Sequence, residues 1–485
     1  AAVDSGGGAD AQILLASLLT MAGQVKQAQR VLDALAAAGL TPEQRSEFAS
    51  VYAFVLTQGG HLSEPAAMIS RLAAESAQNV EQLQGIHAQA LIFDGRLTEG
   101  LGLAAQLFDQ SGDDVARALA AMALIAGSHF QGSTSTSDPV SGQAEPIAER
   151  VRDRLPYVIG TLAVARSIGL TGAGRFSESE TIAKALYDRG LAEDDSWMGP
   201  RGASALGVLA LARGQVRTAA RYLRIAVASL NDFDRLFLRY NLALLAQGVA
   251  YCGAVEQAER ALRSGGGAPV FRLFEDDWAL AEAAVLAARG HVDEAIEQAV
   301  RTAEAAEQNG SWGLASIAAH AAVRYGGGPT SANLLRRCAE RVQGPMFAVM
   351  SDHGSARAAA DGVRLDAVCA RFEDLGAMLL AAEAAYAAGT AHRGSGDATS
   401  AAASMARGIT LHARCEGARI PWIAPQGGGL LTAREQQVAV LAAAGRTDAQ
   451  IAAELAISIR TVSTHLSNAY GKLGVSTRRE LPQAL

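Results

Sequence analysis

Cysteine is scarce in this sequence, and its scarcity excludes two common kinds of site. Four cysteines stand far apart in 485 residues, and none belongs to a Cys-x-x-Cys pair or lies near a pair of histidines. Disulfide frameworks and zinc sites do not have such spacing. The four are Cys252, Cys338, Cys369 and Cys415. We therefore predict a protein of the reducing cytoplasm that holds no metal.

Membrane and secretion signals are also missing. No apolar run reaches the length that crosses a membrane, and residues 1–8 lack the basic and apolar regions of a signal peptide. The chain begins without methionine, which is typical of a processed or excised piece of a longer protein.

Catalytic patterns are missing as well. The sequence contains no G-x-x-x-x-G-K-[ST] phosphate loop, and its one Gly-Lys pair is Gly471-Lys472. Histidines such as His61, His291 and His320 show no spacing typical of a catalytic triad or of metal ligands. We predict that the chain is not an enzyme and binds no cofactor.

Alanine and leucine at helical spacing fill the chain from Ala9 to about Cys415, which predicts an all-α fold. A glycine followed two residues on by an apolar residue and five on by a small one recurs along this stretch. The copies begin at Gly23, Gly95, Gly174, Gly214, Gly253, Gly290 and Gly396, and Gly60 begins one in which proline takes the last place. Neighbouring copies lie 35 to 40 residues apart, and the 79 residues between Gly95 and Gly174 accommodate two units.

Periods of this size predict stacked helical hairpins. The glycine ends the first helix of each pair in the left-handed conformation, and the small residue lets the second helix cross close to the first. The unit resembles a tetratricopeptide repeat (TPR), although its period is longer and that family's tryptophan, tyrosine and proline pattern is missing.

We expect this TPR-like array to occupy residues 1–418. Residues 127–146 have no apolar periodicity, which predicts a mobile surface loop inside the array. The hairpin pattern weakens after Gly328 until the copy at Gly396. Residues 419–429 contain two prolines and three glycines, which predict a linker.

Two acidic segments, residues 193–196 and 275–277, are each followed by a tryptophan and begin 82 residues apart. We expect their carboxylates to cap helices. Trp197, Trp278 and Trp312 either pack between hairpins or line a shared groove.

The C-terminal 56 residues, 430–485, predict a small domain of their own. Thr432 with Glu435, and Thr447 with Gln450, have the spacing of capping boxes that open two short helices. Ser458 is placed to cap a third.

The third helix is amphipathic. Its apolar face comprises Val462, Leu466, Ala469 and Leu473. Its polar face comprises Arg460, Ser463, Thr464 and Ser467. This is the helix-turn-helix layout, in which the last helix enters the major groove of DNA. A generic three-helix bundle with a solvated face has the same spacing, so spacing alone leaves both alternatives open.

The identity of the residues favours the first alternative. The run from Leu431 to Leu481 contains, in order, L-T-x-R-E, G-x-[ST]-x-x-x-I-A, I-S-x-x-T-V-x-x-H-L-x-N and K-L-G-V-x-x-R-x-E-L. It resembles the C-terminal DNA-binding domain of LuxR-type transcriptional regulators. The resemblance implies a four-helix helix-turn-helix domain with a recognition helix from Ile459 to Leu473.

The same resemblance implies which residues meet DNA. The base-facing positions fall on Ser463, Thr464 and Ser467. The phosphate-facing ones fall on Thr461, Lys472 and Arg478, with His465 at the edge, and Arg460 lies on or near the polar face.

Two positions depart from the family pattern. Ser463 stands where lysine is common, so direct readout would rest on neutral hydroxyls, which discriminate less than a bidentate arginine. Pro482 falls inside the short fourth helix that the family commonly uses for dimer contacts, and it removes a backbone donor there.

Upstream, residues 372–377 and 415–421 resemble the segment before the DNA-binding domain in large LuxR-type regulators related to the maltose regulator. Those proteins join a nucleoside-triphosphatase module to a helical-repeat sensor and this domain. The triphosphatase motif is absent from this chain, so the activity is not transferred.

These observations predict a transcriptional regulator. The array would sense a small molecule or a partner protein, and the C-terminal domain would bind double-stranded DNA as a homodimer. The alternative is a protein-interaction scaffold with a weak or vestigial DNA-binding domain, motivated by that domain's net charge of only +2 and by Ser463 and Pro482.

Overall fold

The computed structural model describes residues 8–21, 24–38, 40–58, 80–155, 157–195, 197–233, 235–266, 272–419, 433–443, 445–455, 457–473 and 475–481. Every regular element in these ranges is a helix, which confirms the all-α class. The chain divides into two compact units, Ala1–Trp422 and Ile423–Leu485, which we name the array and the head. The predicted linker lies outside the described residues from position 420 onward.

The array consists of consecutive helical hairpins, as the TPR-like pattern predicted. The first helices are α1 (Ala9–Met21), α3 (Pro42–Gln58), α4 (Val80–Phe93), α6 (Asp114–Gln131), α8 (Val158–Ala173), α10 (Met198–Arg213), α12 (Arg235–Tyr251), α14 (Glu275–Arg289), α16 (Trp312–Tyr325), α18 (Pro345–Ala358) and α20 (Met378–Gly394). The second helices are α2 (Val25–Ala38), α5 (Leu97–Gln110), α7 (Thr134–Val151), α9 (Phe176–Ala192), α11 (Val216–Phe233), α13 (Val255–Gly265), α15 (Val292–Gln308), α17 (Pro329–Ala339), α19 (Gly362–Leu375) and α21 (Ala398–Ala413). A 3-10 turn, η1 (Arg272–Phe274), precedes α14.

The head contains α22 (Ala433–Ala443), α23 (Asp448–Glu454) and α24 (Ile459–Leu473), followed by a 3-10 turn, η2 (Arg478–Glu480). Pro482 lies outside the described residues, as does the rest of the predicted fourth helix beyond Leu481.

The predicted hairpin glycines take the left-handed conformation wherever the structure describes them. Their φ angles lie between 77° and 92° at Gly95, Gly174, Gly214, Gly253, Gly290 and Gly396. This conformation costs a residue with a Cβ about 1–2 kcal/mol, which is why glycine recurs there. Gly23 and Gly60 lie outside the described residues.

The prediction of a surface loop at residues 127–146 is wrong. Gly132, with φ of 70°, ends α6, and the segment that follows is helix α7. Val140, Ala144 and Ile147 are buried on one side of that helix. Gly132 is therefore the hairpin glycine that the gap between Gly95 and Gly174 lacked.

The polar residues of α7 hid its helical period. Serine hydroxyls there bond to their own helix, and the Ser141 Oγ donates to the Ser137 carbonyl at 2.7 Å. Such bonds satisfy hydroxyls inside a helix that composition alone assigns to a loop. Pro139 and Pro146 lie within the helix as well.

The glycine pattern weakens after Gly328 because another residue takes the hairpin position. Ala360 joins α18 to α19 with φ of 48°, and no glycine is needed there. Asp361 then caps α19, because its Oδ1 accepts from the backbone N–H of Arg364 at 3.1 Å. The hairpins continue through the region where the sequence pattern is faint.

The array winds into a superhelix whose turns contact each other. Helix α6 packs on α16, α8 packs on α18, and α10 packs on α20. In each pair the later helix belongs to the fifth hairpin further along. The second superhelical turn therefore lies directly against the first.

The hairpin glycines of the first turn are where the second turn approaches. A Cβ on Gly132 would lie 2.6 Å from Val342 Cγ1, and one on Gly214 would lie 2.7 Å from Leu379 Cβ. At Gly290, in the second turn, a Cβ would meet no described atom within 4 Å. Glycine is therefore needed for the left-handed backbone conformation in both turns, and in the first turn it also allows the helices of the second turn to pack closely.

Polar contacts also join the two turns. The Glu416 carboxylate accepts from the backbone N–H groups of Arg217 and Thr218, both at 2.8 Å, and so caps α11. Deeper inside, Arg324 forms a bidentate pair with the fully buried Glu383, with both distances 2.7 Å. Arg324 also donates to the Tyr251 hydroxyl at 3.2 Å, so this cluster links α12, α16 and α20.

The acidic segments behave differently from each other. Asp195 Oδ1 accepts from the N–H groups of Trp197 and Met198 at 2.7 and 2.8 Å, which confirms the predicted cap of α10. The second segment forms the first turn of α14, whose N-cap position is Phe274 and has no side-chain cap.

Each of the three tryptophans predicted to pack or to line a groove is covered by an arginine. Guanidinium carbons lie 4.1, 4.0 and 5.4 Å from the ring centroids in the pairs Arg201–Trp197, Arg239–Trp278 and Arg341–Trp312. Trp278 is buried between hairpins, whereas Trp197 lines a cavity. None of the helices described here is long and apolar enough to cross a membrane.

Candidate nucleic-acid interface

The head has its own apolar core, which fixes the orientation of α24. Val438 from α22, Ile451 from α23, and Val462 and Ala469 from α24 are buried together. Leu466 joins them, so the apolar face predicted for the third helix is the one that is buried. The opposite face of α24 must then lie in solvent.

A predicted cap lies at the start of each of the last two helices. Thr447 and Gln450 form a complete capping box, with the Gln450 side chain accepting from the Thr447 N–H at 2.9 Å. The Ser458 Oγ accepts from the Thr461 N–H at 3.0 Å at the start of α24. The predicted capping residue Thr432 lies outside the described residues.

The solvent face of α24 is polar, as predicted. Ser463, Thr464 and Ser467 are exposed, and Arg460 is exposed one turn earlier. The Thr464 hydroxyl donates to the Arg460 carbonyl at 2.9 Å, which leaves its oxygen able to accept a further hydrogen bond. The helix therefore presents three neutral hydroxyls flanked by a cation.

The other predicted DNA contacts are placed less uniformly. Thr461 is half-buried, with its hydroxyl 2.7 Å from the Ser458 hydroxyl, and His465 is half-buried beside the exposed face. Lys472 belongs to α24, but its side chain lies outside the described residues. The assignment of these residues to DNA contacts stays a prediction.

The structure gives Arg478 a structural role. Its Nη1 pairs with Asp448 Oδ1 at 2.6 Å, its Nε donates to the Ala442 carbonyl at 3.3 Å, and its Nη2 donates to the Arg446 carbonyl. The side chain thereby ties η2 to the end of α22 and the start of α23. Arg478 therefore helps to hold the interface in place, and its assignment to a phosphate contact stays a prediction.

Sequence reasoning missed a second arginine with this kind of role. Arg434 donates to the Leu455 carbonyl at 2.6 Å and to the Gln437 side chain at 2.9 Å, which satisfies an end carbonyl of α23. The arginine of the L-T-x-R-E motif was the available signal, but a motif does not reveal whether an arginine faces inward or outward.

One exposed apolar residue at the interface was also missed. Ile459 opens α24 with 55% of its surface exposed, next to Arg460. It precedes Val462 by three residues and therefore lies at the edge of the apolar face rather than in the core.

The Glu480 carboxylate holds the turn after the recognition helix. It accepts from the Ser476 N–H at 2.9 Å and from the Thr477 hydroxyl at 2.7 Å. These hydrogen bonds lower the pKa of Glu480 below its ordinary value. Among the described residues, no group of three side chains is arranged to hold a metal ion.

The family described as Bacterial regulatory proteins, luxR family, matches residues 429–484. The head is a LuxR-family domain. The resemblance inferred from its motifs is thus confirmed, and the LuxR-family head is the part of the chain to which it applies.

A curated relative matches a short part of the chain. Over 53 residues the chain is 49% identical to the HTH-type transcriptional regulator MalT of Serratia proteamaculans (strain 568). The match covers 11% of this chain and 6% of the relative's length.

Solved structures resemble the chain as a whole only at a low level. A Rap protein complexed with competence and sporulation factor has a TM-score of 0.42 and 10% identity, and covers 84% of this chain and 98% of its own. The Cut9-Hcn1 hetero-tetramer of the APC/C has a TM-score of 0.39 and 13% identity, and covers 100% of this chain and 98% of its own. Similarity at this level adds nothing to the fold described above.

Proposed function

We propose that this chain is a cytoplasmic, non-enzymatic transcriptional regulator whose head binds operator DNA in the major groove. The exposed polar face of α24, in a domain of the LuxR family, is the observation that carries the proposal. An α-helix of this width enters the major groove, where base edges offer the hydrogen-bonding groups that hydroxyls can read.

Within this proposal, Ser463, Thr464 and Ser467 contact base edges. Hydroxyls both donate and accept, so each contact discriminates weakly between bases. The exposed Ile459 adds an apolar contact, for which the methyl group of thymine is the natural partner.

Phosphate contacts would supply most of the affinity. Arg460 and Lys472 lie at opposite ends of α24, and we assign them to the backbone on the two sides of the groove. Thr461 and His465 make shorter polar contacts beside them. A head with so few outward cations would gain specificity by binding as a homodimer to a two-fold site.

We propose further that the array senses an effector and passes its state to the head. A transcriptional regulator needs a domain that detects its signal, and the array is the large helical domain available for that role. Repeat arrays provide extended concave surfaces suited to ligands.

Selection of duplexes from a random pool by the full chain tests the DNA-binding proposal. We expect enrichment of a two-fold site. Arg460→Ala combined with Lys472→Ala should weaken binding on the order of tenfold. It should also flatten the slope of log affinity against log salt by about 0.9 for each phosphate that the protein no longer neutralises.

The matched control is Arg364→Ala, which removes an exposed arginine from the array. It should leave both affinity and salt slope unchanged. Absence of salt-sensitive duplex binding would overturn the proposal and favour the scaffold alternative, and enrichment of single half-sites would overturn the homodimer.

A further inference from the structure

The inner face of the first superhelical turn carries a partly open cavity of about 870 Å³. Its lining comes from the first helices α1, α3, α4, α6, α8, α10 and α12, from the residues just before α8 and α10, and from η1. The cavity is partly open to solvent, and its volume lies near the upper end of the range of small-molecule pockets, which makes it a candidate ligand site.

Aromatic residues are concentrated in this cavity. The chain has 12 Phe, 9 Tyr and 4 Trp, and seven of these line it. Phe274 is central, with ring centroids of Tyr240, Phe237 and Phe130 lying 4.8, 6.0 and 6.1 Å from its own. In a chain built mainly of alanine and leucine, this concentration provides flat apolar surfaces for a ligand with rings.

Three polar side chains of the lining donate hydrogen bonds within the protein. Gln82 donates to Asp113 at 2.6 Å, and Gln89 donates to the Leu119 carbonyl at 2.9 Å. The Thr161 hydroxyl donates to the Tyr157 carbonyl at 2.9 Å. These groups are therefore already satisfied, and a ligand would gain little by hydrogen bonding to them.

Charge on the lining is balanced rather than aimed at a charged ligand. Arg154 and Arg201 are offset by Glu47 and Asp153. The Arg201 guanidinium lies over the Trp197 ring. Burial lowers the pKa of His129 to about 4, so this histidine is neutral at physiological pH.

The α1 end of the cavity is open to solvent and presents two leucines. Leu14 and Leu18 line it with 60% and 55% of their surfaces exposed. Exposed apolar side chains of this kind at the edge of a cavity provide an entrance for an apolar molecule.

We propose that this cavity is the effector site of the array and that it binds an uncharged, largely apolar molecule carrying aromatic rings. The proposal rests on the proposed regulatory function for its biological output. Binding itself is measured on the full chain without DNA, so loss of duplex binding and loss of ligand binding are separate results.

Two fluorescent probes with the same ring system test the chemistry. N-phenyl-1-naphthylamine is uncharged, and 8-anilinonaphthalene-1-sulfonate adds one sulfonate. We expect the uncharged probe to bind saturably at one molecule per chain and about tenfold more tightly than the sulfonate, because an anion entering an apolar site must lose its hydration. Absence of saturable binding, or equal or tighter binding of the sulfonate, would overturn the proposal.

Two variants test whether the probe binds in the cavity. Ala126→Phe puts a ring into the space from α6, and Leu18→Asn makes the entrance polar without disturbing a buried side chain. We expect each to weaken binding of the uncharged probe at least about fivefold, because each reduces the apolar surface that the probe can bury. Ile409→Asn, at a 62% exposed position on α21 outside the cavity, is the control for Leu18→Asn and should change nothing. Unchanged probe binding in Leu18→Asn would overturn the location even if Ala126→Phe did not fold.

Discussion

Asp277 lies in the first turn of α14, and its Oδ2 atom is sealed from solvent with no hydrogen-bond partner among the described residues. Burial, and then the adjacent Asp276 carboxylate, raise the pKa of Asp277 to about 8. The sequence predicts that carboxylates of this segment cap a helix. Here the carboxyl group instead costs stability when it is ionised.

Asp277→Asn should therefore stabilise the array at neutral pH. The folded-state pKa lies above the unfolded one, so the wild type loses stability as pH rises from about 4 to about 8, and the amide removes that loss. The gain at pH 7 should be roughly 2 kcal/mol, since the residue as a whole keeps some exposure. Urea unfolding of both proteins at pH 5, 7 and 8 measures it.

Asp195→Asn is the comparison, because Asp195 caps α10 with two hydrogen bonds. That variant should not stabilise the protein at any of these pH values. Parallel pH profiles for wild type and Asp277→Asn would show that the Asp277 carboxyl is not protonated in the folded chain.

At the scale of single elements, the hairpin turns separate two roles of glycine. Gly214 and Gly290 both end a first helix with positive φ, but only Gly214 faces the other superhelical turn. A Cβ at Gly214 would lie 2.8 Å from the Leu379 backbone nitrogen, which cannot move aside as a side-chain tip could.

Gly290→Ala should cost about 1 kcal/mol, which is the strain of the left-handed conformation alone. Gly214→Ala should cost about 1–3 kcal/mol more, because the added methyl group must force apart two packed helices. Urea midpoints of the two variants give the difference. Equal destabilisation would mean that the two turns do not press together at Gly214.

Helices and hairpin turns could be predicted because their causes are local. The left-handed turns at Gly174 and Gly214 and the helix cap at Thr447 each depend on only a few neighbouring residues. The same method failed at α7, because Ser137 and Ser141 satisfy their hydroxyls within a helix, and at Ala360, because a non-glycine residue holds the left-handed turn.

The exposed face of the candidate interface could also be predicted from local sequence, whereas the contacts of one of its arginines could not. The period of Val462, Leu466 and Ala469 determines which face of α24 is buried, so exposure of Ser463 follows. The use of Arg478 could not be predicted, because its partners lie 30 or more residues away and only folding brings them together.

At the scale of the whole array, the buried Arg324–Glu383 pair, together with Tyr251, joins three first helices from both superhelical turns. Glu383→Ala would leave the Arg324 guanidinium buried without its carboxylate, which should cost about 3–5 kcal/mol. Glu340→Ala breaks the exposed Arg336–Glu340 pair instead and should change stability by less than about 1 kcal/mol.

Urea unfolding of the full chain measures both variants. Similar small effects would show that the buried pair contributes no more than a surface pair. The partners of Arg324 could not be read from the sequence, because a repeat period defines hairpins but not how many of them complete a superhelical turn.

Three hairpins of the first superhelical turn each contact the fifth hairpin beyond them, and these contacts limit how the array can change in length. Ordinary repeat arrays gain or lose single units, because each unit meets only its immediate neighbours. Removing one internal hairpin here would shift every later hairpin by one place, so that Gly214 would no longer face Leu379. The contacts between the two turns therefore fix the number of hairpins in one superhelical turn, and deletion of an internal hairpin would break those contacts.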